Sequence, residues 1–312
     1  MAISRSDYDG LLIVDKPAGM TSHDVVNAVR KLFHTKRVGH TGTLDPDATG
    51  VLVLCLGQAT RLAEYLSAAR KHYVTEARFG IETDTQDASG QITTTHDAAQ
   101  LTEAEVEAVL PRFRGTILQI PPMVSALHHQ GKRLYELARE GVTVEREARQ
   151  IHIVSLELTA FIQAEHPLAT LEVTCSTGTY IRTLVADIGA ALGVGGMMQT
   201  LRRTWVGASE ATAFTLSEAY TLDALRARAQ AGTLGEALMP IVSALRDWPQ
   251  VALSVEALAR LRNGQYLALA EWKGPDRGDE EPVAVLDDAG QFCAVGRIAE
   301  GRLYPVKVLT SS

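Results

Sequence analysis

The apolar positions of this chain follow a strand period in some segments and a helix period in others. Residues 11–14 and 51–56 are short continuous apolar runs, which is typical of buried strands. Residues 73–79 instead alternate, so that Tyr73, Thr75 and Ala77 fall on one face. The pattern predicts five strands, at about 11–14, 51–56, 73–79, 151–161 and 168–175.

Helical segments are marked by capping residues and by apolar stripes. Thr21 or Ser22 can cap a helix whose apolar positions 25, 26, 29, 32 and 33 share one face. Thr102 and Glu105 form a capping-box pattern before a helix that we expect to run to Phe113. Further helices are predicted at about 60–66, 133–140, 180–192 and 255–261. Residues 117–131 are predicted to be irregular because they contain two consecutive prolines.

Strands and helices are mixed without strict alternation, which favours an α+β fold over a doubly wound one. Pro249 marks a predicted boundary, and beyond it we expect one helix, several short strands and a hairpin turn at 287–290. We therefore predict two domains, 1–248 with an insertion at about 92–149, and 249–312.

The composition of the chain argues against a membrane or secreted protein. No apolar run approaches the ~20 residues that span a bilayer, and the first residues lack the apolar block of a signal peptide. The three cysteines, Cys55, Cys175 and Cys293, have no metal-like spacing, and the first two lie in apolar runs. We therefore expect core thiols, no membrane association and a reducing cytoplasm.

Net charge is −7, which by itself argues against a nucleic-acid partner. Basic residues are nevertheless clustered locally, at 30–37, 70–72, 132–133 and 202–203, whereas the acidic residues are concentrated at 276–281. Because binding depends on the local distribution of charge, the net charge does not exclude RNA.

The segment 39–52, GHTGTLDPDATGVL, carries the strongest chemical signal. Its glycines permit a tight loop, and Pro46 biases Asp45 toward extended geometry. The loop runs directly into the predicted strand 51–56, so it can hold the Asp45 carboxylate beside a rigid element, as catalytic loops commonly do.

This segment and five others resemble the TruB-type tRNA pseudouridine synthases, and the resemblance covers the chain from Gly10 to about Arg203. The motifs, in chain order, are 10–17 with 19–22, the Asp45 segment, 71–73 with Gly80, 119–126 continuing to 131 and 134–135, 175–182, and 201–203. A mixed, largely antiparallel sheet of pseudouridine-synthase type and a small C-terminal β-rich, PUA-like RNA-binding domain are what the resemblance implies.

The resemblance also assigns roles to residues. Asp45 matches the essential catalytic Asp, and Arg182 matches the Arg that holds that carboxylate ionised. Tyr73 matches the aromatic side chain on which the flipped base stacks, and Tyr180 and Leu201 match residues that line the pocket.

Two further matches concern the surroundings of the pocket. His40 matches a His that fills the gap left by the flipped base, and Lys16 is expected to support the pocket without taking part in the chemistry. Asp84 and Asp87 are interpreted as turn formers, and a functional role for either is left open.

Departures from the family pattern fall in the insertion. His128-His129 stands where many members have a Lys, and Val124 stands where an aromatic residue is common. A His is only partly charged near neutrality, so a phosphate contact there would be weaker and pH-dependent.

The expected activity is isomerisation of uridine to pseudouridine at position 55 in the T-loop of tRNA, without cofactor or metal, by a monomer that binds the T-arm. Other readings stay open. One is a non-catalytic RNA-binding or RNA-folding protein. Another is an RNA-guided relative within the same family, although the insertion at about 92–149 and the C-terminal region look more like the stand-alone bacterial enzyme. A third is an Asp-dependent phosphotransferase, because 45–49 matches Asp-x-Asp-x-Thr, although that motif normally follows a strand. A P-loop is excluded because no Gly-Lys-Ser/Thr follows the glycines.

Overall fold

A computed structural model describes residues 8–125, 128–129, 131–134, 137, 140–142, 144–268, 272 and 282–309, with only the backbone at 128–129 and 132–133. Within this part the chain is an α+β fold, as predicted. Its α-helices are Ser22–Leu32 (α1), Ala63–Ser67 (α2), Glu103–Val109 (α3), Ile181–Leu192 (α4), Leu222–Ala231 (α5) and Val255–Arg262 (α6). Short 3-10 helices lie at Gly57–Leu62, Leu110–Phe113, Glu210–Thr212, Leu216–Glu218, Leu234–Ala237 and Ile241–Leu245.

The strands belong to one large sheet, one smaller C-terminal sheet and two hairpins. They are Gly10–Lys16 (β1), Val38–His40 (β2), Thr49–Leu56 (β3), Arg70–Phe79 (β4), Ile81–Thr83 (β5), Ile92–Thr95 (β6), Gly115–Gln119 (β7), His128–His129 (β8), Lys132–Arg133 (β9), Arg149–Ile162 (β10), Leu168–Cys175 (β11), Gly196–Gly207 (β12), Phe214–Thr215 (β13), Gln250–Ala252 (β14), Leu267–Ala268 (β15), Pro282–Leu286 (β16), Phe292–Ala299 (β17) and Arg302–Val308 (β18).

The large sheet has the order β1-β3-β12-β4-β11-β10-β7, with β2 paired to β3 and β13 paired to β12. Its pairings among the described residues are antiparallel except that of β12 with β3, where Arg202 faces Thr49 and Arg203 faces Gly50. This short parallel junction joins the β1–β3 side of the sheet to the long antiparallel strands. It also places the start of β3, which follows the Asp45 loop, against the middle of β12.

The alternation predicted for 73–79 is confirmed in β4. Tyr73, Thr75, Ala77 and Phe79 are all buried, whereas the residues between them are partly exposed. Their face packs under α4, whose apolar stripe includes Ile181, and this packing forms the main hydrophobic cluster of the sheet.

Most of the predicted helices and strands are confirmed. Thr21 caps α1, and the capping box of Thr102 and Glu105 starts α3, which a 3-10 turn extends to Phe113. The prediction of irregular structure after 117 is wrong at its start, because β7 pairs with β10. Strand β12 was not predicted. The helix predicted at 133–140 lies largely outside the described residues.

The C-terminal sheet has the order β14-β16-β17-β18-β15, and α6 packs on it. The predicted turn between β16 and β17 is confirmed, with the Asp287 carboxylate accepting the backbone N–H groups of Ala289 and Gln291. Lys307 of β18 pairs with Glu64 of α2 at 2.6 Å, which ties this sheet to the larger one.

The three cysteines are buried and unbridged, which confirms the expected core thiols. Among the described residues, the longest apolar helices fall short of what is needed to cross a membrane.

Candidate active site

The backbone on either side of Asp45 is fixed by side chains from other elements. Ser22, at the start of α1, accepts the Leu44 N–H at 2.8 Å and donates to the Leu44 carbonyl at 3.2 Å. The Ala48 N–H donates to the Asp45 carbonyl at 3.1 Å, which closes the turn. Since both polar groups of the preceding residue are held by one hydroxyl, the carboxylate starts from a defined position.

Lys16 holds the other side of the loop. It is fully buried at the end of β1, and its ammonium group donates to the Pro46 and Pro17 carbonyls, each at 2.8 Å. Burial lowers the pKa of Lys16 to about 8, against the opposing effect of the Asp47 and Asp45 carboxylates. The structure therefore places Lys16 behind the loop, in contact with backbone oxygens.

Arg182 reaches Asp45 from the first turn of α4. Its Nη2 lies 3.1 Å from Asp45 Oδ1 and 2.8 Å from the Val124 carbonyl oxygen, and its Nη1 lies 3.4 Å from Asp87 Oδ2. Only 5% of the Arg182 side chain is exposed, so this is a buried cation shared between two carboxylates and not a surface ion pair.

Asp87 is a site residue that the sequence did not reveal. Its Oδ1 accepts hydrogen bonds from the Thr85 hydroxyl and from the hydroxyl and N–H of Ser89, which leaves Oδ2 for Arg182. It does form the turn that was predicted, but the turn also delivers a second carboxylate to Arg182. Nothing in the local sequence signals this role, because it depends on how the loop lies against α4.

The pKa of Asp45 is raised above its usual value. Burial is the main cause, and the negative charge of Asp87 adds to it, whereas the Arg182 guanidinium and the Lys16 ammonium pull the pKa down. A raised pKa brings a carboxyl group closer to the range in which it can exchange a proton during a reaction.

Beside Asp45 is a cavity of about 200 Å³. Five of the residues proposed from the sequence line it, namely Asp45, Tyr73, Tyr180, Arg182 and Leu201. The other lining residues are Gly42, Thr43, Leu44, Lys71, Ser125, Ser176, Thr177, Gly178, Thr179, Ile181 and Arg203. The motifs on β4, β12, α4 and the insertion thus converge on one small space.

Three polar atoms of residues that line this cavity are buried and have no hydrogen-bond partner in the described part of the chain. They are Ser125 Oγ, Arg182 Nε and Arg203 Nη1. Buried polar atoms are normally satisfied, because leaving one unpaired costs about 1–3 kcal/mol. Several of them around one cavity indicate a site whose missing partner is a polar ligand.

Tyr73 and Tyr180 are positioned by different means. Tyr73 is buried in β4, where burial raises the pKa of its hydroxyl and Arg203 lowers it. Tyr180 caps the start of α4, and the Gln119 side chain clamps it by accepting its N–H at 2.8 Å and donating to its carbonyl at 3.0 Å. Gln119 lies at the end of β7, the strand that the sequence did not predict.

His40 lies apart from this group. It ends β2, is absent from the lining of the Asp45 cavity, and its Nδ1 is buried without a partner among the described residues. Burial lowers its pKa, and the nearby positive charges of Arg203 and His23 lower it further, which favours the neutral imidazole.

The side chains of His128 and His129, and the acidic loop 276–281, lie outside the described residues. Among the residues that are described, no group of three or more His, Cys, Asp or Glu side chains is arranged to hold a metal ion.

Comparison with protein families gives matches along most of the chain. Residues 30–181 match the N-terminal domain of the TruB family pseudouridylate synthases, residues 182–246 match a tRNA pseudouridylate synthase B C-terminal domain, and residues 249–309 match a pseudouridine synthase II TruB C-terminal domain. The chain is 44% identical to the tRNA pseudouridine synthase B of Pseudomonas putida over 98% of its length and 97% of the relative. It is 48% identical to that of Symbiobacterium thermophilum over 84% of each chain.

Solved structures share the fold. A Cbf5-Nop10-Gar1 complex contains a chain that is 26% identical with a TM-score of 0.71, covering 98% of this chain and 84% of that one. An H/ACA RNP bound to a substrate RNA containing 2'-deoxyuridine contains one that is 24% identical with a TM-score of 0.73, covering 97% and 86%.

Proposed function

The chain belongs to the TruB family of pseudouridine synthases, and from that premise we propose that it isomerises uridine to pseudouridine at position 55 in the T-loop of tRNA. The reaction breaks the N1–C1′ bond of the nucleotide and forms a C5–C1′ bond, so no atom is gained or lost. Curated relatives that are 44–48% identical are named tRNA pseudouridine synthase B, which supports tRNA as the substrate.

The observation that carries the proposal is the Asp45 cavity. The Asp45 carboxylate, 35% exposed, is paired with the buried Arg182 at 3.1 Å, next to three buried polar atoms that have no partner among the described residues. At about 200 Å³ the cavity is smaller than the ~300–1,000 Å³ of pockets for drug-sized ligands, so it fits a single base better than a larger group. Its polar lining suits a base with two carbonyl oxygens and an N–H.

A uridine within folded RNA has to leave the base stack before it can enter such a cavity. Unstacking costs a few kcal/mol, which the contacts inside the cavity must offset. In the proposal the Tyr73 ring stacks on the flipped base, Tyr180 and Leu201 enclose it, and His40 supports the RNA that the base has left. Lys16 holds the Asp45 loop from behind.

Asp45 is the catalytic residue in this proposal. Its carboxylate must be ionised, whether it attacks the ribose, attacks the base or removes a proton from the ribose. Arg182 lowers the pKa of Asp45 against the effect of burial, which favours the ionised form, and orients the carboxylate through Nη2. The proposed reaction uses no cofactor.

The proposed tRNA contacts extend beyond the cavity. We assign recognition of the T-arm to the surface around the cavity and the insertion at about 92–149, and further RNA binding to a PUA-like domain at 249–312. The β-rich sheet of β14–β18 supports that second assignment. In this proposal the protein acts as a monomer.

The test is to incubate the purified protein with unmodified tRNA and to map pseudouridine by position. Pseudouridine at position 55 alone is the expected result, and its formation at other positions only would refute the assignment. Asp45→Asn should lower turnover by ~10³-fold or more while tRNA affinity stays within a few-fold. If wild type binds and refolds tRNA but forms no pseudouridine, the protein is a non-catalytic RNA-binding protein.

A further inference from the structure

Arg203 is a buried cation at the edge of the Asp45 cavity. It lies in β12, is 1% exposed and lines the cavity with Tyr73 and Asp45. Its Nε donates to the Val51 carbonyl at 2.7 Å and its Nη2 to the Gly42 carbonyl at 3.0 Å. These two carbonyls lie on either side of the Asp45 loop, so one guanidinium fixes both ends of the loop.

The guanidinium also lies near the Tyr73 hydroxyl and lowers the pKa of Tyr73, but its third nitrogen makes no geometrically defined hydrogen bond among the described residues. Nη1 is buried and unsatisfied among the described residues. It lies beside Gly42, where an added Cβ would be 3.5 Å from it. Since Gly42 also lines the cavity, Nη1 is held at the cavity wall with an N–H that no described residue accepts.

The charge of Arg203 is also uncompensated. Within the described part of the chain no carboxylate pairs with it, whereas its neighbour Arg202 makes two contacts with the Asp15 carboxylate, at 2.8 and 3.2 Å. A second buried cation, Lys71, lines the same cavity and is occupied by the Ser67 and Ala69 carbonyls. Buried charges are costly unless they are paired, so this arrangement is suited to a ligand that brings negative charge.

We propose that Arg203 donates its Nη1–H to a carbonyl oxygen of the uracil base and stabilises the negative charge that this base acquires when it leaves the ribose. This inference rests on the proposed isomerisation and adds a second catalytic residue to it. The inference takes the two routes in which Asp45 acts on the ribose, by attack or by proton removal, and assigns the base to Arg203.

The electron balance makes such a group necessary. When the N1–C1′ bond breaks, its electron pair stays on N1 and is delocalised onto the O2 and O4 oxygens, which gives a uracil anion. The electron deficiency at C1′ is met by the Asp45 carboxylate or by loss of a ribose proton to it. The anion is consumed when C5 forms its bond to C1′, as Asp45 leaves C1′ or returns the ribose proton. C5 then loses its proton and N1 gains one, so the negative charge on the base is transient.

A fixed donor at such a charge acts as an oxyanion hole does. A preorganised N–H aimed at developing negative charge in a water-poor site is worth ~10²–10³ in rate. Arg203 is preorganised because Val51 and Gly42 fix the other two nitrogens, so its Nη1–H does not have to be reoriented during the reaction.

The experiment uses the wild-type protein and tRNA that carries uridine, 2-thiouridine or 4-thiouridine at the target position. Sulfur accepts hydrogen bonds weakly, but it makes the departing base less basic. Leaving-group ability alone therefore predicts faster cleavage of thio-substituted substrates, whereas loss of the Arg203 contact predicts slower cleavage. We expect single-turnover rates to fall at one of the two positions and not at the other. Rates that hold or rise at both positions would overturn the proposal.

Arg203→Gln and Arg203→Lys provide the second measurement, with Arg202→Gln as the matched control from the opposite face of the same strand. Arg203→Gln should lower the single-turnover rate by ~10²–10³-fold. It should also abolish the difference between oxygen and sulfur at the sensitive position. Arg203→Lys should retain part of the rate and part of the difference between oxygen and sulfur. Arg202→Gln should keep the wild-type sulfur effect.

Loss of activity in proportion to loss of folded protein, with the sulfur effect unchanged, would make Arg203 a purely structural residue and refute the proposal. If neither Arg203 variant folds, the wild-type sulfur pattern still decides. Binding of each thio-substituted tRNA to Asp45→Asn controls for changes in RNA structure. A wild type that forms no pseudouridine in unsubstituted tRNA would instead refute the proposed function itself.

Discussion

The Arg182 guanidinium lies 3.1 Å from the Asp45 carboxylate, although the two residues are 137 positions apart in the chain. Arg182 is in the first turn of a helix that packs across the large sheet, and Asp45 is in a loop before a strand of that sheet. The same guanidinium contacts Asp87 at 3.4 Å. Two carboxylates therefore share one buried cation, and the negative charge of Asp87 raises the pKa of Asp45.

Asp45 is expected to reduce stability at neutral pH. Its pKa is higher in the folded protein than the ordinary value of 3.8, mainly because of burial, so folding favours the protonated form. The stabilising contribution of the protonated group is fully present below pH 3.8 and is lost as pH rises through the raised pKa. Asp45→Asn should therefore be at least as stable as wild type at pH 7, with an advantage that shrinks as the pH falls toward 3.8.

Urea unfolding at several pH values measures this difference. An Asp45→Asn protein that is clearly less stable than wild type at pH 7 would mean that the pairing with Arg182 outweighs burial.

Asp87 is expected to set the pH at which activity is lost in acid. Its negative charge raises the pKa of Asp45, so Asp87→Asn should lower that pKa and move the acidic limb of the single-turnover rate to lower pH. Asp84→Asn is the matched control, because Asp84 accepts the Gln91 N–H at 2.8 Å in the same loop without contacting Arg182. An acidic limb that stays in place, or moves to higher pH, would contradict the assigned coupling.

Gly50 is expected to tolerate no side chain. Its φ is +105°, and an added Cβ would lie 2.1 Å from the Arg203 carbonyl oxygen across the parallel junction. Gly50→Ala should lower the free energy of unfolding by more than the ~1–3 kcal/mol of backbone strain alone. It should also reduce activity, because the junction carries both Arg203 and the end of the Asp45 loop.

Gly39→Ala is the matched control for that substitution. Gly39 is also in the Asp45 segment, but an added Cβ there has open space within 4 Å. Thermal melts of both variants measure their stability, and Gly50→Ala should lose more than Gly39→Ala. Equal losses would argue against the close approach at Gly50.

Tyr73 is expected to act through its ring. Tyr73→Leu should lower the single-turnover rate by ~10–100-fold, because stacking of a base on an aromatic ring is worth ~1–3 kcal/mol. Tyr73→Phe keeps the ring and should keep most of the rate. Since Tyr73 is buried in the main hydrophobic cluster, the melting temperature of each variant must be measured alongside. Equal losses in Phe and Leu variants would point to the hydroxyl near Arg203 instead.

Local patterns in the sequence were sufficient for much of the fold. The alternation in β4, the capping box before α3 and the stripe in α4 each depend on neighbours within one element, and each was found. Strand β12 was missed, and it occupies the middle of the large sheet, between β3 and β4. Apart from the short β13, its partners β3 and β4 are more than a hundred positions away in the chain, so this pairing could not be inferred from the local sequence.

Some residues of the candidate site were found from the sequence, and others only from the tertiary structure. The sequence by itself determined which residue types are present and which motifs resemble a known family, and so it singled out Asp45, Tyr73 and Arg182. Only the tertiary structure decided that Asp87 shares Arg182 with Asp45, and that Arg203 is buried beside the cavity with no carboxylate partner among the described residues. The physical reason is that burial and charge pairing depend on distances between elements remote in the chain, which no local spacing of residues encodes.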